Sequence, residues 1–262
     1  MSISLEFSKI QPHIREAGQV ALNFFQTGLT REYKADDSPV TKADQAVERF
    51  LITKIEHLYS AFDYEIIGEE FGGKNQGKEY SWVIDPIDGT RVFLDGLPTW
   101  CISVGLLRNG KSYRGAVYLP VIGDMYYTNN EGQALWNGEP LDNMIATEWN
   151  RDSFIAVPSG THRYFEIDFP RVRSFGAIAT HHVYVARGAA VATLHRRSAL
   201  WDLAGAHAIL TAVGGVATYL DGSPVLLKDI LITGEAKSPM LAGHPQLVEQ
   251  LLPKIKPLSD FS

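Results

Sequence analysis

Apolar residues recur at Ile10, Ile14, Ala17, Ala21 and Phe24, in steps of four and three. Such spacing keeps them on one face, so an amphipathic helix docked on a core is predicted for the first segment. A second helix is predicted to start near Thr41, with Ala43, Val47, Phe50, Lys54 and Leu58 around one side. Ser38-Pro39-Val40 supplies its extended entry, and Asp44 falls in its first turn. Between 66 and 127 the pattern changes to short apolar runs broken by glycine: 66–67, 82–84, 102–107, 115–119 and 125–127. These read as strands. Arg108-Asn109-Gly110-Lys111 is a turn sequence, which makes 102–119 an antiparallel hairpin.

After about 145, strand-like runs alternate with helix-like ones: 154–157, 171–175, 179–190, 191–194, 202–213 and 216–219. The expectation is an α/β chain of two lobes, α+β with a mainly antiparallel sheet over 1–145 and α/β over 146–262. Gly214-Gly215 is expected to end the helix that Asp202 opens. No internal repeat or low-complexity tract interrupts the pattern.

Composition narrows the function classes. The 262 residues are 45% hydrophobic and 21% charged, ordinary for a chain with a sizeable core. A net charge of -6 argues against a nucleic-acid or membrane binder, which would show a basic face. The expected partners are small molecules or other subunits. Cys101 is the only cysteine and lies among apolar residues, so a buried structural thiol is expected and a thiolate metal cage is excluded. Without a signal-like start or a run approaching about 18 apolar residues, a cytoplasmic location is the expectation.

The chemistry concentrates in Trp82-Val-Ile-Asp-Pro-Ile-Asp-Gly-Thr90. A short strand is expected to deliver Asp85 to an exposed end, and an Asp-Gly turn to place Asp88 and Thr90 beside it. Crowded carboxylates repel unless a cation sits between them. Gly68-Glu69-Glu70 follows another strand and offers a third ligand, while Asp202, opening a helix, offers a fourth from the other lobe. An oxygen-only set favours magnesium before manganese. Each residue also has a plainer reading. Asp88-Gly89 can be only a turn, Asp202 only an N-cap, and Asp44 only the acidic partner of a capping box begun by Thr41.

Four blocks together, SPVTKADQAVE (38–48), GEE (68–70), DPIDGT (85–90) and WDLAGA (201–206), resemble the signature of the inositol monophosphatase family of metal-dependent, lithium-sensitive phosphatases. The resemblance runs in order over nearly the whole chain and implies a layered αβαβα sandwich. It also implies that Glu69, Asp85 and the carbonyl of Ile87 hold a first metal, and Asp85, Asp88 and Asp202 a second. Glu70 would reach a third through water. Thr90 and Asp44 would orient and deprotonate the attacking water, with Glu69 completing the catalytic set, and the amides of Gly89 and Thr90 would bind phosphate. A homodimer is usual for the family.

Recognition of the rest of the substrate is less conventional. Seven residues before Asp202, where inositol-specific members carry a glutamate, stands His195, followed by Arg196 and Arg197. Either these are surface residues after a short strand, or a partly cationic wall favours a second anionic group. Gly176, Ala177 and Ile178 match a small-residue stretch whose backbone approaches the substrate ring, or mark close packing of strand on helix. His181 and His182, being adjacent, are expected to face different ways and to be non-ligands, with one of them near the pocket rim.

GEEFGG (68–73) and DGTRVFLDGLP (88–98) look like histidinol-phosphate phosphatases, and GAVYLPVIGDMYY (115–127) is similar to 3',5'-bisphosphate nucleotidases. The leading expectation is a phosphomonoesterase for a small polyol or sugar phosphate. Fructose 1,6-bisphosphate, 3'-phosphoadenosine 5'-phosphate and histidinol phosphate are the alternatives, and a catalytically silent binding protein is the competing class. A nucleotide-binding fold is discarded, because neither phosphate-loop glycine pattern follows a strand.

Overall fold

The computed structural model describes residues 5–27, 32–33 and 39–258. Ser38, part of the expected entry to the second helix, lies outside them. Helix α1 (Gln11–Thr27) buries Ile14, Ala17 and Ala21. A small antiparallel ribbon, β1 (Glu32–Tyr33) and β2 (Pro39–Val40), leads into α2 (Lys42–Leu58). Thr41 caps that helix: its hydroxyl accepts the amides of Ala43 and Asp44, and the Asp44 carboxylate accepts the Thr41 amide in return at 2.8 Å.

The larger sheet contains β3 (Tyr64–Gly68), β4 (Tyr80–Asp88), β5 (Cys101–Arg108), β6 (Lys111–Leu119), β7 (Asp124–Thr128), β8 (Ala134–Trp136) and β9 (Glu139–Pro140), in that order. Only β3 and β4 run parallel. Asn109 and Gly110 both take positive φ, 51° and 70°, as a tight hairpin between β5 and β6 requires. Between β4 and β5 follows the five-residue α3 (Thr90–Leu94), pinned by Phe93, whose buried ring meets Trp100 edge-on at 4.8 Å.

The second sheet runs β12 (Val172–Arg173), β10 (Ile155–Ala156), β13 (Ala192–His195), β15 (Met240–Gly243), β14 (Val216–Tyr219). A separate pair, β11 (Phe165–Ile167) and β16 (Ile255–Pro257), flanks it. Helices α4 (Ile178–Ala186) and α5 (Leu200–Ala212) lie between the two sheets, α6 (Leu227–Thr233) packs beside α5, and α7 (Pro245–Leu251) covers the far face. The layers are therefore α1/α2, large sheet, α4/α5, small sheet, α7, with apolar cores between them. The sequence shows no break in this interleaving, since α5 belongs by position to the second half yet packs on β5 and β6 of the first.

That packing is close. A Cβ on Gly105 would stand 2.6 Å from Ala204 Cβ, and one on Gly205 would stand 2.6 Å from Ser103 Oγ. Small residues on both sides let α5 approach the sheet and bring Asp202 to the ends of its strands. As expected, α5 ends just before Gly214, which adopts φ 83° after the cap Val213, but it starts at Leu200, so Asp202 is its third residue rather than its first. No helix of the described residues is long and apolar enough to cross a membrane.

Candidate active site

Asp85 and Asp88 are three residues apart on a strand, a spacing that alternation would send to opposite faces. The β4–β5 register resolves this. Asp85 pairs with Ser103 and Asp88 with Cys101, so β4 holds one extra residue across Pro86-Ile87. This bulge turns both carboxylates to one side and accommodates a proline that cannot donate. The exposed strand end expected for Asp85 is not found: β4 continues through Asp88, and both side chains are buried, at 1% and 6% exposure. Gly89 follows in the left-handed region at φ 88°, packed beneath the 176–177 backbone, so the chain can enter α3 at once.

Asp202 completes the cluster. Ligand oxygens of Asp85, Asp88 and Asp202 lie within 4.8 Å of one another. Burial first, and then the neighbouring carboxylates, push Asp85 and Asp202 well above the usual range; burial likewise raises Asp88 to about 7. Each has a different set of partners. Asp202 is not the N-cap of α5, which is Ala199; from the third helical position its carboxylate accepts the Ala199 amide at 2.8 Å while it also joins the cluster. Asp88 accepts the amides of Ile178 and Ala179 at 3.1 and 2.5 Å, with the Cys101 thiol 3.7 Å away. Cys101 is buried, as expected. Asp85 Oδ1 is buried with no hydrogen-bond partner. An orphaned carboxylate oxygen amid three anions fits a cation.

Asp44 stands opposite. Its Oδ1 lies 3.4 Å from Thr90 Oγ1, while its Oδ2 stays in the Thr41 cap, so the capping contact leaves one carboxylate oxygen facing Thr90. Thr90 Oγ1 is also 3.2 Å from the carbonyl of Ile87. Burial raises Asp44 to about 7, against its bonds to Thr41 and with smaller contributions from Glu70 and Glu69.

Sequence reasoning missed Glu48. Fully buried one helical turn after Asp44, it accepts the amides of Glu70 and Phe71 at 2.8 and 2.9 Å, fixing the turn that presents Glu69 and Glu70. Its spacing of four from Asp44 was the available signal, since both project from the same face of α2.

Beside the cluster, a cavity of about 590 Å³ is lined by Gly176, Ala177, Ile178, Arg196 and Arg197. Gly176 both approaches the site and packs tightly, with φ 80° against Val92 of α3. His195 does not line this cavity, and it is neither a surface residue nor a cationic wall. It ends β13 with no exposure, its ring stacked on His182 at 4.8 Å and on His181 at 5.7 Å. Burial holds it well below the usual histidine range, so it is neutral. His181 and His182 thus both reach one ring despite being adjacent, and His181 lines the cavity.

The model of the inositol monophosphatase family matches residues 7–256. The chain belongs to this family. It is 32% identical over 230 residues to human inositol monophosphatase 1, covering 80% of this chain and 82% of that one. It is 30% identical over 210 residues to a histidinol-phosphatase of Chlorobaculum parvum, covering 76% and 80%. In fold it matches the extragenic suppressor protein suhB of Bartonella henselae, with a TM-score of 0.80 at 21% identity over 94% of this chain and 96% of that one. The family member described here is a phosphatase, a hydrolase of phosphate monoesters, and its acidic cluster suits the family's dependence on metal.

Proposed function

We propose that the chain is a magnesium-dependent phosphomonoesterase that uses water to hydrolyse a small polyol or sugar phosphate. The observation that carries this reading is the Thr90–Asp44 contact at 3.4 Å beside three converging aspartates. In this reading Glu69, Asp85 and the Ile87 carbonyl hold one ion, Asp85, Asp88 and Asp202 a second, and Glu70 reaches a third through water. The donors are all oxygen, which favours magnesium, with manganese as a substitute. Bound there, the ions acidify water and offset charge on the leaving oxygen.

The chain's own groups do the rest. Thr90 takes the proton of the attacking water as it passes its own to Asp44, whose carboxylate accepts when ionised, a state that bound cations would favour. In this reading Glu69 also serves to orient that water. The amides of Gly89 and Thr90 bind phosphate as individual donors, because α3 has only five residues and contributes little aligned dipole. Gly176, Ala177 and Ile178 present backbone to the substrate.

The test is phosphate release from inositol 1-phosphate with added magnesium and with excess chelator. Release that requires magnesium supports the reading; equal release under chelation overturns it.

A further inference from the structure

The cavity beside the aspartates is strongly cationic. Among the described residues, Arg91, Arg163, Arg196 and Arg197 all line it, against one carboxylate, Asp95. They come from three distant segments: α3 just after Thr90, a single 3-10 turn at Thr161–Arg163, and the loop between β13 and α5. Among the described residues none of the four forms an ion pair with a carboxylate, although other surface arginines such as Arg108 and Arg171 do. Arg196 is held in place by its guanidinium lying 3.9 Å over the Tyr164 ring.

Guanidinium groups remain charged at any working pH and repel one another unless an anion or water lies between them. The cavity adjoins the reacting centre at Ile178, which lines it and whose amide donates to Asp88 at 3.1 Å. Arg91 is next in sequence to Thr90. At about 590 Å³ the space is of ordinary size for a small-molecule site, so there is room beyond the scissile phosphate.

From this charge and position we infer that the cavity is a subsite for a second phosphate of the substrate, held by Arg91, Arg163, Arg196 and Arg197. This rests on the phosphatase reading above. A phosphate suits the site better than a carboxylate, because four cations against one anion leave an excess that a dianion offsets more fully, with more oxygens for planar forks to grip. The preferred substrate is then a bisphosphate, in which one phosphate is cleaved at the aspartates and the other retained among the arginines.

The test compares fructose 1,6-bisphosphate with fructose 1-phosphate, which differ only by the second phosphate. The wild-type enzyme should favour the bisphosphate in kcat/KM by about tenfold or more, and this preference should shrink as salt is added. Arg163→Gln and Arg197→Gln should each lower the bisphosphate-to-monophosphate ratio of kcat/KM by about tenfold, mainly through KM. A wild-type ratio near one, or a ratio untouched by both substitutions, would overturn the subsite. Magnesium-dependent release from the monophosphate alone would do so while leaving the phosphatase reading intact. If neither fructose phosphate nor inositol 1-phosphate released phosphate, both readings would be overturned.

Discussion

Glu48 occupies the space that a Cβ on Gly68 would need, and its carboxylate holds the amides of the two residues after Glu69. It is a positioning residue for the Glu69–Glu70 turn. Glu48→Ala should weaken magnesium affinity by about 10- to 100-fold, as loss of a group supporting metal ligands does, while kcat at saturating magnesium largely recovers. Activity titrated against magnesium checks this. An unchanged half-saturation point would remove Glu48 from that role.

Thr90 and Asp44 form the proposed proton path. Thr90→Val should lower kcat by about 10²- to 10⁴-fold with little change in KM, and Thr90→Ser should restore most of it. Steady-state kinetics with inositol 1-phosphate decides the point. A loss confined to KM would mean that the hydroxyl only binds substrate.

Carboxyls at the site link stability to pH and metal. Asp44, Glu48 and Asp88 are pushed up to about 7, and Asp85 and Asp202 well above the usual carboxylate range, mainly by burial. Unfolded carboxyls titrate near about 4, so the folded state holds these protons more tightly. Their contribution to stability is full below about pH 4 and is lost as pH rises through about 7. Magnesium binds the ionised site and competes with protons, so the Tm increase it causes should be larger at about pH 8 than at about pH 6. Calorimetry at the two pH values with and without magnesium measures this; an equal shift would contradict it.

The stacked histidines act in the opposite direction. Burial pushes His181 down to about 3, His182 and His207 to about 4, and His195 well below the usual range. Their contribution is present above about pH 6.5, the unfolded value, and is lost as pH falls toward these lower values. Replacing His195 by Asn should make the acid side of the stability profile shallower by about one proton between about pH 4 and 6. Denaturant unfolding over that range supplies the slope.

Much of this site was legible because its signals are local. The 3.6-residue period located α1 and α2, Asn109-Gly110 located the hairpin, and Thr41 followed by Asp44 marked a helix start. What escaped depends on contacts between distant segments. The one-residue bulge at Pro86-Ile87 exists only in the pairing of β4 with β5. His195 is buried because α4 brings His181 and His182 against it, an arrangement that no spacing near residue 195 announces. Arg91 and Arg163 face one cavity from elements some 70 residues apart, and neither segment is unusual by itself. Short elements such as β8, β9, α6 and α7 lack the length over which a period can be read.

Asp85 is the most direct point of attack. Its Oδ1 has no hydrogen-bond partner, so Asp85→Asn removes a charge at nearly constant shape. Relief of repulsion should leave the metal-free protein at least as stable as wild type. Magnesium-dependent phosphate release by this variant is the measurement that tests the account most closely. A fall of about 10²- to 10³-fold or more is predicted, the rate equivalent of several kcal/mol of lost metal-assisted stabilisation. Release within twofold of wild type at the same magnesium concentration would contradict it.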